Sequence, residues 1–115
     1  MKRVLHIEDD PDLQAYVAAI IGDKVDVIVV ASLKEAYKAL KTDKFQLLLL
    51  DLTLPDGSGI DLLSELYKYL EHIPPVVIFS AHEVTDTLPN VNKVLVKGRF
   101  NDDNLLSSVT ELLNL

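Results

Sequence analysis

The strongest constraint on the fold of this chain is a pair of apolar runs that both end in acid. Leu47-Leu48-Leu49-Leu50 has no polar interruption and closes on Asp51, just before the loop Leu52-Thr53-Leu54-Pro55-Asp56-Gly57-Ser58-Gly59. Near the start, Val4-Leu5-His6-Ile7 closes on Glu8-Asp9-Asp10. Short continuous apolar runs of this kind suit strands buried on both faces, as in a parallel sheet. Parallel strands share a direction, so the acids at their ends converge on one edge. Carboxylates gathered there repel one another unless a cation joins them, which points to a metal-assisted site around Asp51.

The rest of the sequence alternates strand and helix patterns. Residues 3–8, 25–30, 46–51, 76–79 and 94–96 read as five strands. Asp10 or Pro11 opens a first helix with a stripe of Leu13, Val17, Ile20 and Ile21, and Gly22 stops it. Ser32 is a good N-cap for a second, with Leu33, Ala36, Tyr37 and Leu40 on one face. A third follows the Pro-Asp-Gly-Ser-Gly loop, with Ile60, Leu63, Leu66, Tyr67 and Leu70 inward, Leu62 and Tyr69 outward, and Pro74-Pro75 as its break. Asn101 caps the last, which carries Leu105, Leu106, Val109, Leu112 and Leu113. Between Ser80 and Lys97 only Val84 and Leu88 hint at a stripe, and Pro89-Asn90 interrupt it, so a helix there is expected to be short, irregular or absent. The pattern predicts one α/β domain over residues 1–115, a doubly wound parallel sheet covered on both faces. In such sheets the functional crevice lies at the carboxyl ends of the strands.

Those ends carry Glu8, Asp9 and Asp10, then Asp51, Ser80 and Lys97. The set is chemically coherent. A carboxylate can act as a nucleophile and form an aspartyl phosphate. Glu8, Asp9 and Asp51 offer the hard oxygens that Mg²⁺ prefers. Lys97 supplies a point charge for a phosphoryl oxygen and Ser80 a hydroxyl donor, and phosphoryl transfer depends mostly on positioning and charge neutralisation. Singly, each residue has a plainer reading: Asp51 as a turn acid, Ser80 as a turn residue, Lys97 as a solvated lysine. His6 reads as a packed strand residue rather than a ligand.

Composition excludes several classes of function. A formal net charge of −7 argues against sequence-independent nucleic-acid binding. With no cysteine there is neither a disulfide framework nor a thiolate metal site. No apolar stretch reaches membrane-spanning length and the start does not read as a signal peptide, so a cytoplasmic location and no membrane contact are expected. No Gly-x-Gly-x-x-Gly follows the first strand, which disfavours dinucleotide binding.

The stretches 4–11, 48–59, 77–81 and 95–97, from Val4 to Pro11, Leu48 to Gly59, Val77 to Ala81 and Leu95 to Lys97, resemble the receiver domains of two-component response regulators across essentially the whole chain. The resemblance implies a flavodoxin-like five-stranded sheet of order 2-1-3-4-5, an order carried over and not read off the residues. It implies that Asp51 accepts a phosphoryl group from the phosphohistidine of a histidine kinase or phosphotransfer domain. Glu8 and Asp9 match the family's acidic pair, with Asp10 the flanking acid; Asp9, Asp51 and the carbonyl of Thr53 would hold Mg²⁺. Lys97 matches the phosphate-binding lysine, with Ser80 and Ala81 beside the phosphoryl group. Ser80 and Val94 take the two switch positions, and Thr53 and His82 those that tune phosphoryl lifetime.

Departures from the family pattern cluster in the last third. The aromatic usual three positions before the lysine is Val94, which cannot make an inward swing. The segment from Ser80 to Lys97 is short, and Lys-Pro is replaced by Lys97-Gly98-Arg99, with one residue inserted before Phe100. Without proline a cis bond costs about 2.5–4 kcal/mol, so a trans bond is expected, with Gly98 taking the unusual angles. The expected function is a phosphoacceptor switch that catalyses its own phosphorylation and slow hydrolysis, not a conventional turnover enzyme. The alternative is a receiver-like module that binds a partner without phosphorylation. An Asp-nucleophile phosphatase fits poorly, since Thr53 stands where a second Asp would be the acid. The end at Leu115 leads to an expectation of no output domain: a free regulator, or a receiver from a hybrid kinase or multidomain regulator. Oligomeric state is left open.

Overall fold

The computed structural model describes residues 1–84, 88 and 90–115. In chain order the elements are β1 (Arg3–Ile7), α1 (Pro11–Ile21), β2 (Asp26–Val30), α2 (Leu33–Thr42), β3 (Leu47–Asp51), β4 (Thr53–Leu54), β5 (Gly57–Ser58), α3 (Gly59–Tyr69), β6 (Val76–Ser80), β7 (Lys93–Val96) and α4 (Asp102–Leu113). Five strands form one parallel sheet in the order β2-β1-β3-β6-β7. Leaving out the β4–β5 hairpin, that is the expected 2-1-3-4-5.

Strand alternation divides the core into two layers. Leu48 and Leu50 of β3 pack with Leu5, Ile7 and Ile78 beneath α2 and α3, while Leu47 and Leu49 pack with Val4, Val77 and Phe79 beneath α1 and α4. All four leucines are fully buried, each worth about 1.5–3 kcal/mol of apolar transfer. This is why the run tolerates no polar residue before Asp51.

Helix starts follow their caps. The side chain of Asp10 accepts from Asp12 N, that of Ser32 from Glu35 N and that of Ser58 from Ile60 N, and Asn101 and Asn104 form a reciprocal capping box. Asp56, at the tip of the hairpin, accepts from Leu33 N at 2.8 Å and Lys34 N at 3.0 Å. The loop after Asp51 is thereby tied to the start of α2.

The third helix differs from expectation. Leu62 is fully buried, whereas Ile60 and Tyr67 are 40% and 67% exposed. The inward stripe is Gly59, Leu62, Leu63 and Leu66, one position out of phase with the predicted face. Gly59 sets that phase: a Cβ there would stand 2.6 Å from the Asp51 carbonyl oxygen, so the glycine must face the strand end. The helix also ends at Tyr69, before Pro74, and Tyr69 is half-buried against Tyr37 at 5.0 Å. The predicted loop 52–59 contains the short antiparallel β4–β5 hairpin.

Between β6 and β7 there is no helix among the described residues; residues 85–87 and 89, where an irregular fourth helix was expected, lie outside them. Asn90, at φ +62°, donates its side-chain amide to the Leu63 carbonyl at 3.1 Å. Asn92 donates its N–H to the Val76 carbonyl, and its side-chain oxygen accepts from Val76 N, both at 2.9 Å. Leu88, Val91 and Val94 pack on the α2–α3 layer. No cis peptide occurs among the described residues, and Gly98 has φ +80°. Arg99 N donates to the Val96 carbonyl at 3.0 Å, closing a tight turn whose third position is that glycine.

Candidate functional site

The carboxyl ends of β1, β3, β6 and β7 bring the sequence-derived candidates to one edge of the sheet. Asp51 is the last residue of β3 and only 3% exposed. Its Oδ2 accepts from Lys97 Nζ at 2.9 Å and its Oδ1 from Thr53 N at 3.0 Å. Lys97 directly follows β7, where its own N–H donates to the Ser80 carbonyl at 2.7 Å. The Gly98 turn then leads the chain away into α4.

Glu8 directly follows β1 and is fully buried. Its Oε2 accepts from Asp10 N at 3.1 Å, while Oε1 lies 3.8 Å from Lys97 Nζ and has no hydrogen-bond partner. Burial pushes the Glu8 carboxyl up to about 7; the Asp10 N–H opposes the rise and the adjacent Asp51 adds to it. For Lys97, burial works against the charge, but Asp51 and Glu8 outweigh it and raise its pKa. Glu8, exposed Asp9 and Asp51 each offer an oxygen, all within 4.8 Å of one another. Three carboxylates this close, balanced by one partly exposed lysine, form a donor set that fits a hard divalent cation. Asp10 is exposed and caps α1 instead.

The remaining candidates sit around this edge in different ways. Ser80 is buried, and its hydroxyl donates to the His82 carbonyl at 2.6 Å, so it is engaged by its own turn. Ala81 and His82 are exposed beside it, as is Thr53 across the cleft. Val94 pairs with Ile78 and packs on the α2–α3 layer, opposite to the face that holds Phe79 and Leu95. It is half-buried.

Two contributors, Gln14 and Asp56, escaped the sequence reading, whereas His6 is packed as expected. Gln14 donates its side-chain amide to the Glu8 carbonyl at 2.6 Å, pinning the acidic turn from α1. Asp56 anchors the hairpin to α2. His6 lies one layer below Glu8, fully buried and without a hydrogen-bond partner. Burial lowers its pKa to about 4, with Asp51 opposing and Lys97 assisting. Neither Gln14 nor Asp56 left a signal of its own, since each acts through one polar contact that carries no periodicity.

The chain belongs to the response regulator receiver domain family, whose pattern it matches over residues 4–108. It is 32% identical over 87 residues to the response regulator protein PilR of Pseudomonas aeruginosa, a match covering 75% of this chain and 19% of that protein. It thus spans about a fifth of that relative's length. Its fold superimposes on the signal receiver domain of a protein assigned as a Luxo repressor from Vibrio parahaemolyticus, with a TM-score of 0.89, 30% identity and coverage of 98% of this chain and 90% of the other. The fold also matches the Thermotoga maritima response regulator TrrA, solved with Mg²⁺-BeF, with a TM-score of 0.84, 23% identity and coverage of 97% and 99%. No described helix is long and apolar enough to cross a membrane.

Proposed function

We propose that this chain is a phosphoacceptor switch in which Asp51 takes a phosphoryl group from the phosphohistidine of a histidine kinase or phosphotransfer domain. One observation carries the reading: Lys97 Nζ stands 2.9 Å from Asp51 at the same strand edge where Glu8, Asp9 and Asp51 converge within 4.8 Å. The TrrA receiver with Mg²⁺-BeF and its complex with the histidine kinase ThkA are consistent with it.

Mg²⁺ held by Glu8, Asp9, Asp51 and the Thr53 carbonyl would supply charge neutralisation for the acids and for the incoming phosphoryl group. A carboxylate oxygen of Asp51 attacks phosphorus in line with the departing imidazole nitrogen. The P–N bond breaks as the acyl phosphate forms. Lys97 leaves its ion pair with Asp51 and takes a phosphoryl oxygen. Ser80 exchanges its bond to the His82 carbonyl for one to the phosphoryl group, beside the Ala81 backbone. Thr53 and His82 flank the water path and set how fast the phosphoryl group is hydrolysed.

The test is incubation with Mg²⁺ and acetyl phosphate, read by mass. Addition of one phosphoryl group to the parent, absent from Asp51→Asn, is the expected result. No addition with any donor overturns the reading. The second reading, a partner-binding module independent of phosphorylation, is favoured by Val94 at the usual aromatic position and by the Asn90–Asn92 anchoring of the β6–β7 connection. It predicts equal partner binding by the parent and Asp51→Asn.

A further inference from the structure

His6 is fully buried, and the proposed chemistry does not use it. Alternation along β1 puts its ring on the same face of the sheet as Glu8, one layer deeper. Leu49 pairs with it across the sheet, and the Phe79 ring lies 5.7 Å away at an angle of 54°. Neither Nδ1 nor Nε2 has a hydrogen-bond partner. In the layer above, Glu8 Oε1 has none either, and Lys97 Nζ at 3.8 Å is beyond hydrogen-bond reach of it. Among the described residues these three are the buried side-chain polar atoms without a partner, and they sit on same-face positions of β1 and of the residue that directly follows it.

Buried polar groups in folded proteins are almost always paired, with protein or with enclosed water. The two ring nitrogens point too far apart to share one partner, but one of them and Glu8 Oε1, on neighbouring same-face positions, can share a single one. Same-face neighbours on a strand are about 6.6 Å apart along the chain, a gap that an imidazole and a carboxylate can bridge through one water. A neutral imidazole brings one donor and one acceptor, and each carboxylate oxygen has two lone pairs, so a water there gains polar partners while Oε1 keeps a site free for a cation. Enclosed waters occur at roughly one per 27 residues, which makes one such water ordinary for a domain of this size.

We infer that one enclosed water joins the His6 ring to Glu8 Oε1, and that His6 is thereby a positioning residue that holds the Glu8 carboxylate in its metal-binding orientation. The metal half of this statement rests on the reading that Glu8, Asp9 and Asp51 take Mg²⁺. His6 touches neither the phosphoryl group nor the cation and acts through Glu8.

The experiment is a calorimetric Mg²⁺ titration of the parent, His6→Leu and His6→Gln, with thermal melts of each in Mg²⁺-free buffer. His6→Leu fills the layer and removes both nitrogens. It should weaken Mg²⁺ binding about tenfold or more, the usual effect of deleting an outer partner of a metal ligand, while melting no lower than the parent. His6→Gln should recover most of the affinity although it suits the apolar layer less well. Packing alone would rank the two variants the other way. An affinity of His6→Leu within about twofold of the parent overturns the positioning role.

A second measurement needs no variant. In the ¹⁵N-labelled parent, a His6 ring N–H protected from exchange and showing cross-relaxation to a long-lived water is expected; a protected ring N–H without that water overturns the link. If the parent binds no Mg²⁺, the metal reading fails, and the water measurement still decides the His6–Glu8 link.

Discussion

Lys97 Nζ lies 2.9 Å from Asp51 Oδ2 and 3.8 Å from Glu8 Oε1, so one lysine balances two buried carboxylates. Without another cation, removing it strands both acids. Lys97→Met should therefore lose about 1–2 kcal/mol of stability in Mg²⁺-free buffer, less than the full cost of breaking a buried pair because the lysine side chain is 34% exposed. A cation that binds the folded state at the same acids should restore much of the loss. Thermal melts with and without Mg²⁺ check this, and an equal deficit in both conditions would place the two cations at different sites.

His6 and Glu8 should give opposite pH dependences of stability. The Glu8 pKa is raised from 4.5 to about 7, so its contribution is complete below pH 4.5 and is lost as pH rises through about 7. The His6 pKa is lowered from 6.5 to about 4, so its contribution is complete above pH 6.5 and is lost as pH falls through about 4. In the metal-free parent the two slopes oppose each other over the same window. Urea unfolding between pH 4 and 7 should show His6→Leu losing stability as pH rises and Glu8→Gln gaining it. Parallel curves for the two variants would contradict the assignment.

Asp56 joins the hairpin after Asp51 to the first turn of α2 through Leu33 N and Lys34 N, and both bonds hold its carboxyl below the usual range. Asp56→Ala should destabilise the fold modestly and speed amide hydrogen exchange at residues 33 and 34, while Ser32 keeps its own capping bond to Glu35. Unchanged exchange at those two amides would show that the hairpin does not anchor the helix in solution.

The phase of α3 is testable by contrast. Leu62→Ala removes a fully buried side chain and should cost about 2–5 kcal/mol. Tyr67→Ser removes a ring that is 67% exposed and should change stability by no more than about 0.5 kcal/mol. Denaturant titrations separate the two. The reverse order would support the face predicted from periodicity.

That contrast also marks a limit of sequence reading. The stripe of α3 was ambiguous because Ile60, Leu62, Leu63, Leu66, Tyr67, Tyr69 and Leu70 populate almost every side of the helix. Packing resolved it through Gly59, whose missing side chain must face the Asp51 backbone. The hairpin inside residues 53–58 was equally hidden, since two-residue strands carry no periodicity. By contrast Asp51, Glu8, Asp9, Ser80 and Lys97 were all legible, because parallel strands deliver their C-terminal neighbours to one edge whatever the details of packing.

The sequence alone determined the alternation of strands and helices, the direction of the sheet and the edge that carries the acids. These follow from local periodicity and from the rule that parallel strands end together. Which groups meet is set by packing between segments distant in the chain. The pairing of Lys97 with both Asp51 and Glu8 depends on the turn at Gly98 and on the depth at which each strand ends. The isolation of His6 beneath Glu8 depends on apolar neighbours from Leu49 to Phe79 closing around it. Charge balance and desolvation act over a few ångströms between residues distant in the chain, so they become defined only once the sheet has brought those residues together.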